Sequence, residues 1–284
     1  VDLTRPPEPP AEDSGADFLP PYDASVAHPA RIYDYWLGGK DNFEADRAVG
    51  DKVIDLRPEI VYGVQLNRRF LGRAVRYLAV QAGVRQFLDI GTGLPSANNT
   101  HEVAQGVAPA ARIVYVDNDP IVLTHARALL TSAPEGKTSY VRADLRDTGA
   151  VLAEAAKTLN FARPVALMFL MTLQYIPDAQ DPHKIVRHYL DALPPGSFLV
   201  ISDPIIEGEE EVLVESARRM NEGMGGRTTQ TRRSPEAIAR FFDGLELLDP
   251  GLVALDEWRP DPYDPTGGPA IPARAGVARK PRHY

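Results

Sequence analysis

Apolar residues recur along this chain in two rhythms. Over residues 58–81 they fall every three to four positions (Val61, Val64, Leu71, Val75, Leu78), which predicts an amphipathic helix, and residues 46–56 repeat the spacing. Short apolar runs then follow at 87–90, 112–116, 138–141, 164–170 and 197–202, each short enough for a buried strand. Helical spacing fills the gaps, at about 96–106, 120–130, 148–158 and 182–193, with Pro95 placed to open the first of these helices. Strands alternating with helices imply right-handed crossovers and a parallel sheet. Past residue 202 the rhythm breaks. A charged helix is predicted at 207–220, and Ser234-Pro235 reads as cap and first residue of a helix reaching Phe242. Strand candidates remain at 245–248, 253–258 and 275–279, and with no helix between the last two the pairing there is predicted antiparallel.

Composition narrows the class. The chain has 284 residues, 44% hydrophobic and 25% charged, ordinary values for a folded globular protein. A formal net charge of −8 argues against general gripping of nucleic acid or an anionic membrane. With no cysteine, thiolate metal sites, disulfides and cysteine nucleophiles are excluded together, which fits a cytoplasmic protein. The most apolar run, 165–173, is far shorter than the ~20 residues a membrane helix needs. Residues 1–27 carry prolines at 6, 7, 9, 10, 20 and 21 among acids and small residues, and are expected to form a mostly disordered tail. From His28 the texture changes: Tyr33, Tyr35, Trp36 and Phe43 surround Gly38-Gly39, either as a packed apolar cap or as the lining of a ligand pocket.

The candidate chemistry centres on FLDIGTGLP, residues 87–95. Gly91-Thr92-Gly93 stands at the carboxyl end of a predicted strand, where a backbone without side chains receives a ligand closely. A dinucleotide fingerprint needs a glycine or alanine three residues after the second glycine, and that position is Ser96; Pro95 also removes an N–H that a pyrophosphate would use. An NAD-dependent oxidoreductase is therefore disfavoured. Three acids fall at strand ends: Asp89, Asp117 and Asp144. In a doubly wound sheet these converge on one crevice, where Asp117 can accept from a ribose diol and Asp144, with Leu145, can meet an adenine edge. The plainer alternative is that they cap the following helices.

FLDIGTGLP, VYVDNDP and RADLRD resemble the successive nucleoside-binding motifs of class I S-adenosylmethionine (SAM) methyltransferases. HPARIYDYWLGGKDNF, NRRFLGRAVRYLA, NNTHEVAQ and LMTLQYIPD narrow this, resembling a mostly actinobacterial family first catalogued as a domain of unknown function and now called S-adenosylmethionine methyltransferases. The similarity runs from about His28 to about Lys280. It implies an α/β, Rossmann-like three-layer sandwich with a seven-stranded sheet in the order 3-2-1-4-5-7-6, strand 7 antiparallel. Residues 28–80 would form a helical and aromatic cap, and 81–284 the SAM-binding domain. The family pattern places Asp89, Gly91, Thr92 and Gly93 around the methionine part of SAM, and Asp117 at the ribose. It places Asn118, Asp144 and Leu145 at the adenine, with Phe169 and Leu170 bordering the sulfonium and acceptor.

Tyr33 and its aromatic neighbours offer electron-rich faces to a cation, and Asn67 and Arg68 are within reach of a SAM carboxylate or else belong to a solvated helix face. Because a sulfonium already activates its methyl group, catalysis asks mainly for positioning, and Tyr33, Asp34, His101, Tyr175 and Asp203 are the candidates for any acid–base role. His183 and His188, five apart, do not share a helix face, so no metal is expected. Arginines at 218, 219, 227, 232, 233 and 240 either recognise an acidic acceptor or pair with surface glutamates such as 207 and 209–211. The leading expectation is a SAM-dependent methyltransferase acting on a small-molecule acceptor. The alternative is a non-catalytic SAM or nucleoside sensor.

Overall fold

The computed structural model describes residues 23–122, 132–207, 210–226 and 228–281. Most of the predicted tail and most of the predicted 120–130 helix lie outside these residues. Three helices come first: α1 (Pro29–Trp36), α2 (Glu44–Ile54) and α3 (Ile60–Val80). Strands and helices then alternate as β1 (Gln86–Ile90), α4 (Thr100–Val107), β2 (Arg112–Asp117), β3 (Lys137–Arg142), α5 (Thr148–Ala155), β4 (Ala166–Leu170), α6 (Pro182–Asp191) and β5 (Phe198–Pro204). The last third holds α7 (Glu210–Gly223), α8 (Pro235–Ala239), β6 (Glu246–Leu247) and β7 (Ala273–Arg279).

The strands form one sheet in the order β3-β2-β1-β4-β5-β7-β6. Pairings from β3 through β5 are parallel, and β7 runs antiparallel to both β5 and β6. This is the class I methyltransferase fold. All five residues of β1 are buried, as a central strand covered on both faces requires. The period of two sorts side chains between the layers: Ala166 and Met168 of β4 pack with α3 and α4, while Leu167 and Phe169 pack with α5 and α6. Asp89 lies between Leu88 and Ile90, so it faces the α3–α4 layer, where Thr100 awaits it.

A third apolar cluster sits above the carboxyl ends of the strands. Ile32 and Trp36 of α1, Val49 and Val53 of α2 and Val64 of α3 pack there with Met220 of α7 and Met224. Gly223 permits the close crossing of α2 and α7, since a Cβ there would overlap the Val49 side chain.

Two expectations from sequence change. The helix predicted from residue 96 starts instead at Thr100, behind a capping box in which Asn99 N donates to Glu102 Oε2 (2.7 Å). Pro95 therefore lies in an extended loop. Of the predicted 253–258 strand, only Val253 pairs, with Ala275. The rest is drawn off the sheet by Arg73, which donates from Nε to Trp258 O (2.9 Å) and from Nη2 to Leu255 O (2.5 Å). Trp258 is fully buried, edge-on to Phe70 and Tyr77. Trp258→Ala is expected to cost about 4 kcal/mol of unfolding free energy, the range for removing a buried aromatic; urea denaturation showing a loss below ~1 kcal/mol would contradict this packing account.

Candidate functional site

A cavity of about 350 Å³ opens at the carboxyl ends of β1, β2 and β4, where a parallel sheet reverses its winding. Its floor is Asp89, Gly91, Thr92 and Gly93 from β1 and its loop, with Asp117, Asn118, Asp144 and Leu145 on one flank. Leu170, Met171, Thr172 and Tyr175 form another wall. The roof comes from distant parts of the chain: His28, Ala30, Tyr33, Asp34 and Leu37 around α1, and Gly226, Thr228 and Thr229 after α7.

The glycine loop has its own physical reasons. Gly91 and Gly93 sit at φ +72° and +69°, a region most side chains avoid, and a Cβ on Gly91 would overlap Thr172. Thr172 in turn donates from Oγ1 to Leu170 O (3.0 Å) and approaches the carbonyls of Ile90 and Gly91. Met171 adopts φ +55°, which is costly for a residue with a side chain, and is held by its N–H to Ser202 O (2.8 Å) and by Gln174 Nε2 on its carbonyl (2.8 Å).

Asp117 joins the loop to β2. Its Oδ2 accepts from Gly93 N (2.8 Å) and its Oδ1 from Asp119 N (2.9 Å), one lone pair used on each oxygen. Burial pushes its carboxyl above the ordinary range, partly offset by His28 and by those two N–H groups. Asp89, 4% exposed, accepts from Thr100 Oγ1 (2.7 Å), and burial raises it to about 6. Asp144 is clamped by Arg146, whose Nε donates to Oδ1 (2.8 Å) while Nη2 pairs with Oδ2; Arg146 holds this carboxyl below the usual value.

Asn67 is buried, and each end of its amide has a partner. Ser202 Oγ donates to its Oδ1 (2.6 Å), and its Nδ2 donates to Tyr33 Oη (2.8 Å), which itself donates to Val64 O (3.3 Å). Arg68 lines the cavity too, with Nη2 on the carbonyls of Ala97 and Asn98 (2.9 Å each) and a buried Nε without a partner. Asp34 accepts from Asp41 N (3.0 Å) and Asn42 Nδ2 (2.8 Å), so its carboxylate also shapes the Gly38-Gly39 turn.

Three candidates lie off the cavity. Phe169 points to the opposite face of the sheet, against Tyr189, because the strand alternation puts it one residue out of phase with Leu170. His101 is buried under α4 with Nδ1 2.8 Å from Tyr115 Oη, and burial lowers its pKa. Asp203 is fully buried beneath the 173–175 turn, accepting from Gln174 N (3.2 Å), with Arg233 Nη1 3.7 Å away; burial raises it to about 7.

The arginine cluster divides. Arg218 and Arg219 pair with Glu215 and Glu222 along α7, and Arg233 is buried against Asp178 (2.8 Å) and the carbonyls of Leu173 and Ile176. Arg227 lies outside the described residues. His183 is half-buried and stacks on Phe241 rather than standing free on the surface (ring centroids 4.0 Å).

A network the motifs did not suggest ties the roof to the floor. His28 Nδ1 lies 3.1 Å from Asp119 Oδ2, and the buried Arg31 sits between Asp119 (3.5 Å) and Asp46 (3.6 Å). Asp119 could have been noticed as the fourth residue of VDND; nothing in local sequence pairs it with His28, 91 positions earlier.

The cavity thus joins a Rossmann-like sheet, a glycine loop and acids at three strand ends. The family model described as S-adenosyl methyltransferase matches residues 18–281, and the chain belongs to that family. It is similar to a DUF574 family protein from Streptomyces avermitilis, at 43% identity over 91% of this chain and 99% of the other, with a TM-score of 0.88. A Thermobifida fusca protein shares 40% identity over 96% and 100% of the two chains, with a TM-score of 0.81. The plantazolicin methyltransferase BpumL, solved with a substrate analogue and S-adenosylhomocysteine (SAH), is 11% identical over 89% and 96%, with a TM-score of 0.50, and shares the fold alone. A search of curated proteins found no match. Membership in this family sets aside the oxidoreductase and sensor readings. Among the described residues no helix is long and apolar enough to cross a membrane.

Asp89 and Asp203 set a pH dependence whose sign is fixed by their shifts. Both pKa values are raised on folding, from 3.8 to about 6 and about 7, so between pH 4 and 7 the native state binds more protons than the unfolded chain. The contribution of these two groups to stability therefore falls as pH rises through that window. Urea midpoints measured from pH 5 to 8 are expected to fall less steeply in Asp203→Asn than in the parent; parallel slopes would contradict the assignment.

Proposed function

We propose that the cavity binds SAM and that the chain transfers its methyl group to a small-molecule acceptor. The observation that carries this is the charge of the wall. Asp89 and Asp117 are held in surroundings that raise their pKa values, with Asp34 and Asp144 also on the cavity. A ligand bearing a sulfonium and an ammonium relieves the cost of burying those carboxylates, whereas a pyrophosphate would add to it. The volume lies in the range of small-molecule sites.

The donor set fits the cofactor residue by residue. Asp117 keeps unused lone pairs for a ribose diol, Asn118 and Leu145 would border the adenine, and Asp144 would meet its edge with Arg146 beside it. Asp89 and the 91–93 loop would take the methionine part, with Arg68 on the cavity wall to meet its carboxylate. Asn67 fixes Tyr33 through one Nδ2 proton and, lining the cavity, keeps the other for the ligand. Tyr33, Leu170 and Tyr175 would border the reactive end.

When bound, SAM would supply a methyl group already activated by its sulfonium. The chain's own residues contribute orientation and exclusion of water. His101 and Asp203 lie off the cavity, and Tyr175 is held protonated by burial and by Asp203. The site thus supports methyl transfer by positioning, with α1, Gly226, Thr228 and Thr229 as its roof.

Calorimetric titration should show saturable one-to-one SAM binding and none of NADH. Asp117→Ala is expected to weaken SAM about tenfold to a hundredfold, the cost of losing hydrogen bonds to a charged acceptor. Absence of SAM binding in the parent protein, or full affinity in Asp117→Ala, would sink the proposal.

A further inference from the structure

The cofactor reading leaves most of the arginines of α3 unused. Arg68, Arg69, Arg73 and Arg76, with Gly72 among them, recur every three to four residues and so share one helix face, roughly 12 Å long at 1.5 Å per residue. They line a second groove of about 480 Å³, faced by the 96–98 loop and by Asp261 and Asp264. Leu37, Arg68 and Ser96 line both this groove and the first cavity, so the two lie side by side.

The groove is charged against the sign of the chain. Four guanidiniums meet two carboxylates on its walls, an excess of two positive charges on a chain of formal net charge −8. Two of the four are committed to the fold. Arg73 is buried on Asp264 Oδ2 (2.6 Å) and on the carbonyls of Leu255 and Trp258, and Arg68 holds the carbonyls of Ala97 and Asn98. Arg69 and Arg76 differ. Their side chains are 44% and 52% exposed, and they reach Asp264 Oδ1 (3.3 Å) and Asp261 Oδ2 (3.0 Å) from the groove's open side. Exposed pairs of this kind contribute little, so either guanidinium can turn to a ligand at small cost.

Gly72 is a second, independent observation. A glycine inside a helix lowers its stability relative to alanine, and a close neighbour usually accounts for one that is there. Gly63 of the same helix has such a neighbour, since a Cβ there would come within 3.1 Å of Ile271. At Gly72 a Cβ would meet nothing within 4 Å. Packing therefore does not require this glycine. Its missing side chain leaves the floor of the groove bare between Arg69 and Arg76, where a ligand can lie against the helix.

We infer that this groove is a second binding site, for a small anionic ligand bearing a terminal phosphate or a pair of carboxylates, with Arg69 and Arg76 as its recognition arms and Gly72 as its floor. Both groups match the fork of guanidinium donors, and a doubly charged anion outbids a single exposed aspartate for each arm. The site is separate from the one proposed for SAM, and its occupancy does not require SAM.

Inorganic phosphate and citrate are titrated calorimetrically, at constant ionic strength, into the parent protein, into Gly72→Glu, which puts a carboxylate on the groove floor, and into the double variant Arg69→Gln/Arg76→Gln. SAM is titrated into the same three proteins. At least one of the two anions is expected to bind the parent saturably and both variants at least tenfold more weakly, while SAM affinity stays within about twofold. Phosphate saturating alone marks a terminal phosphate as the recognised group, and citrate alone marks carboxylates. Absence of saturable binding of either anion by the parent, or undiminished binding by either variant, overturns the inference. So does a loss of SAM affinity in step with the anion, which would put the anion in the first cavity. Gly72→Glu improves helix propensity and is expected to keep the parent's thermal midpoint, which separates lost binding from lost folding. Should the double variant lose its folded circular dichroism spectrum, Arg76→Gln alone replaces it, and anion affinity equal to the parent's then counts against the site.

Discussion

A carboxylate taken out of water costs free energy unless something positive or hydrogen-bonding replaces the water. The site is organised around that constraint. Asp89 is compensated by the hydroxyls of Thr100 and Thr92 and by the field of Arg68, and Asp117 by His28 and two backbone N–H groups. Burial nevertheless pushes both carboxyls upward. The glycine loop, the Asn99 capping box and the offset start of α4 set the backbone and Thr100 where those acids need donors. In the bare protein the two acids remain under-compensated, which orients the pocket toward a cation.

Overhead, the arrangement is held by polar contacts spanning the whole fold. The line from Ser202 through Asn67 to Tyr33 runs from the sheet into α1, and His28 and Arg31 reach down to Asp119. Orientation of the roof is thereby fixed by directional bonds, while the Ile32, Trp36, Val53 and Met220 cluster supplies its apolar adhesion.

Much of the sheet was legible in the sequence because its signals are local. Five apolar runs at regular spacing announced β1 to β5, and the missing helix after residue 258 announced the antiparallel β7. Strand alternation, applied residue by residue, would also have turned Phe169 away from the cavity, since Leu170 and Phe169 cannot face the same side. What stayed hidden was non-local. Capture of the 255–258 carbonyls by Arg73 converts a strand-like sequence into turns, and no pattern in either segment declares that meeting. Asn67 was visible as a polar residue on an amphipathic helix, but its partners lie 34 residues before and 135 residues after it. Pro95 looked like the first turn of a helix because its φ suits one; the Asn99–Glu102 pair, equally local, outweighed it.

The crossing of α2 with α7 has a consequence for the making of the protein. Met220, Met224 and Gly223 follow Val49 and Val53 by some 170 residues, and they complete the apolar cluster that α1, α2 and α3 begin. At ribosomal rates of about 5–20 residues per second, that cluster waits on the order of ten seconds or more for its partner helix to emerge. The order of synthesis therefore leaves the first three helices incompletely covered until α7 emerges to close the cluster.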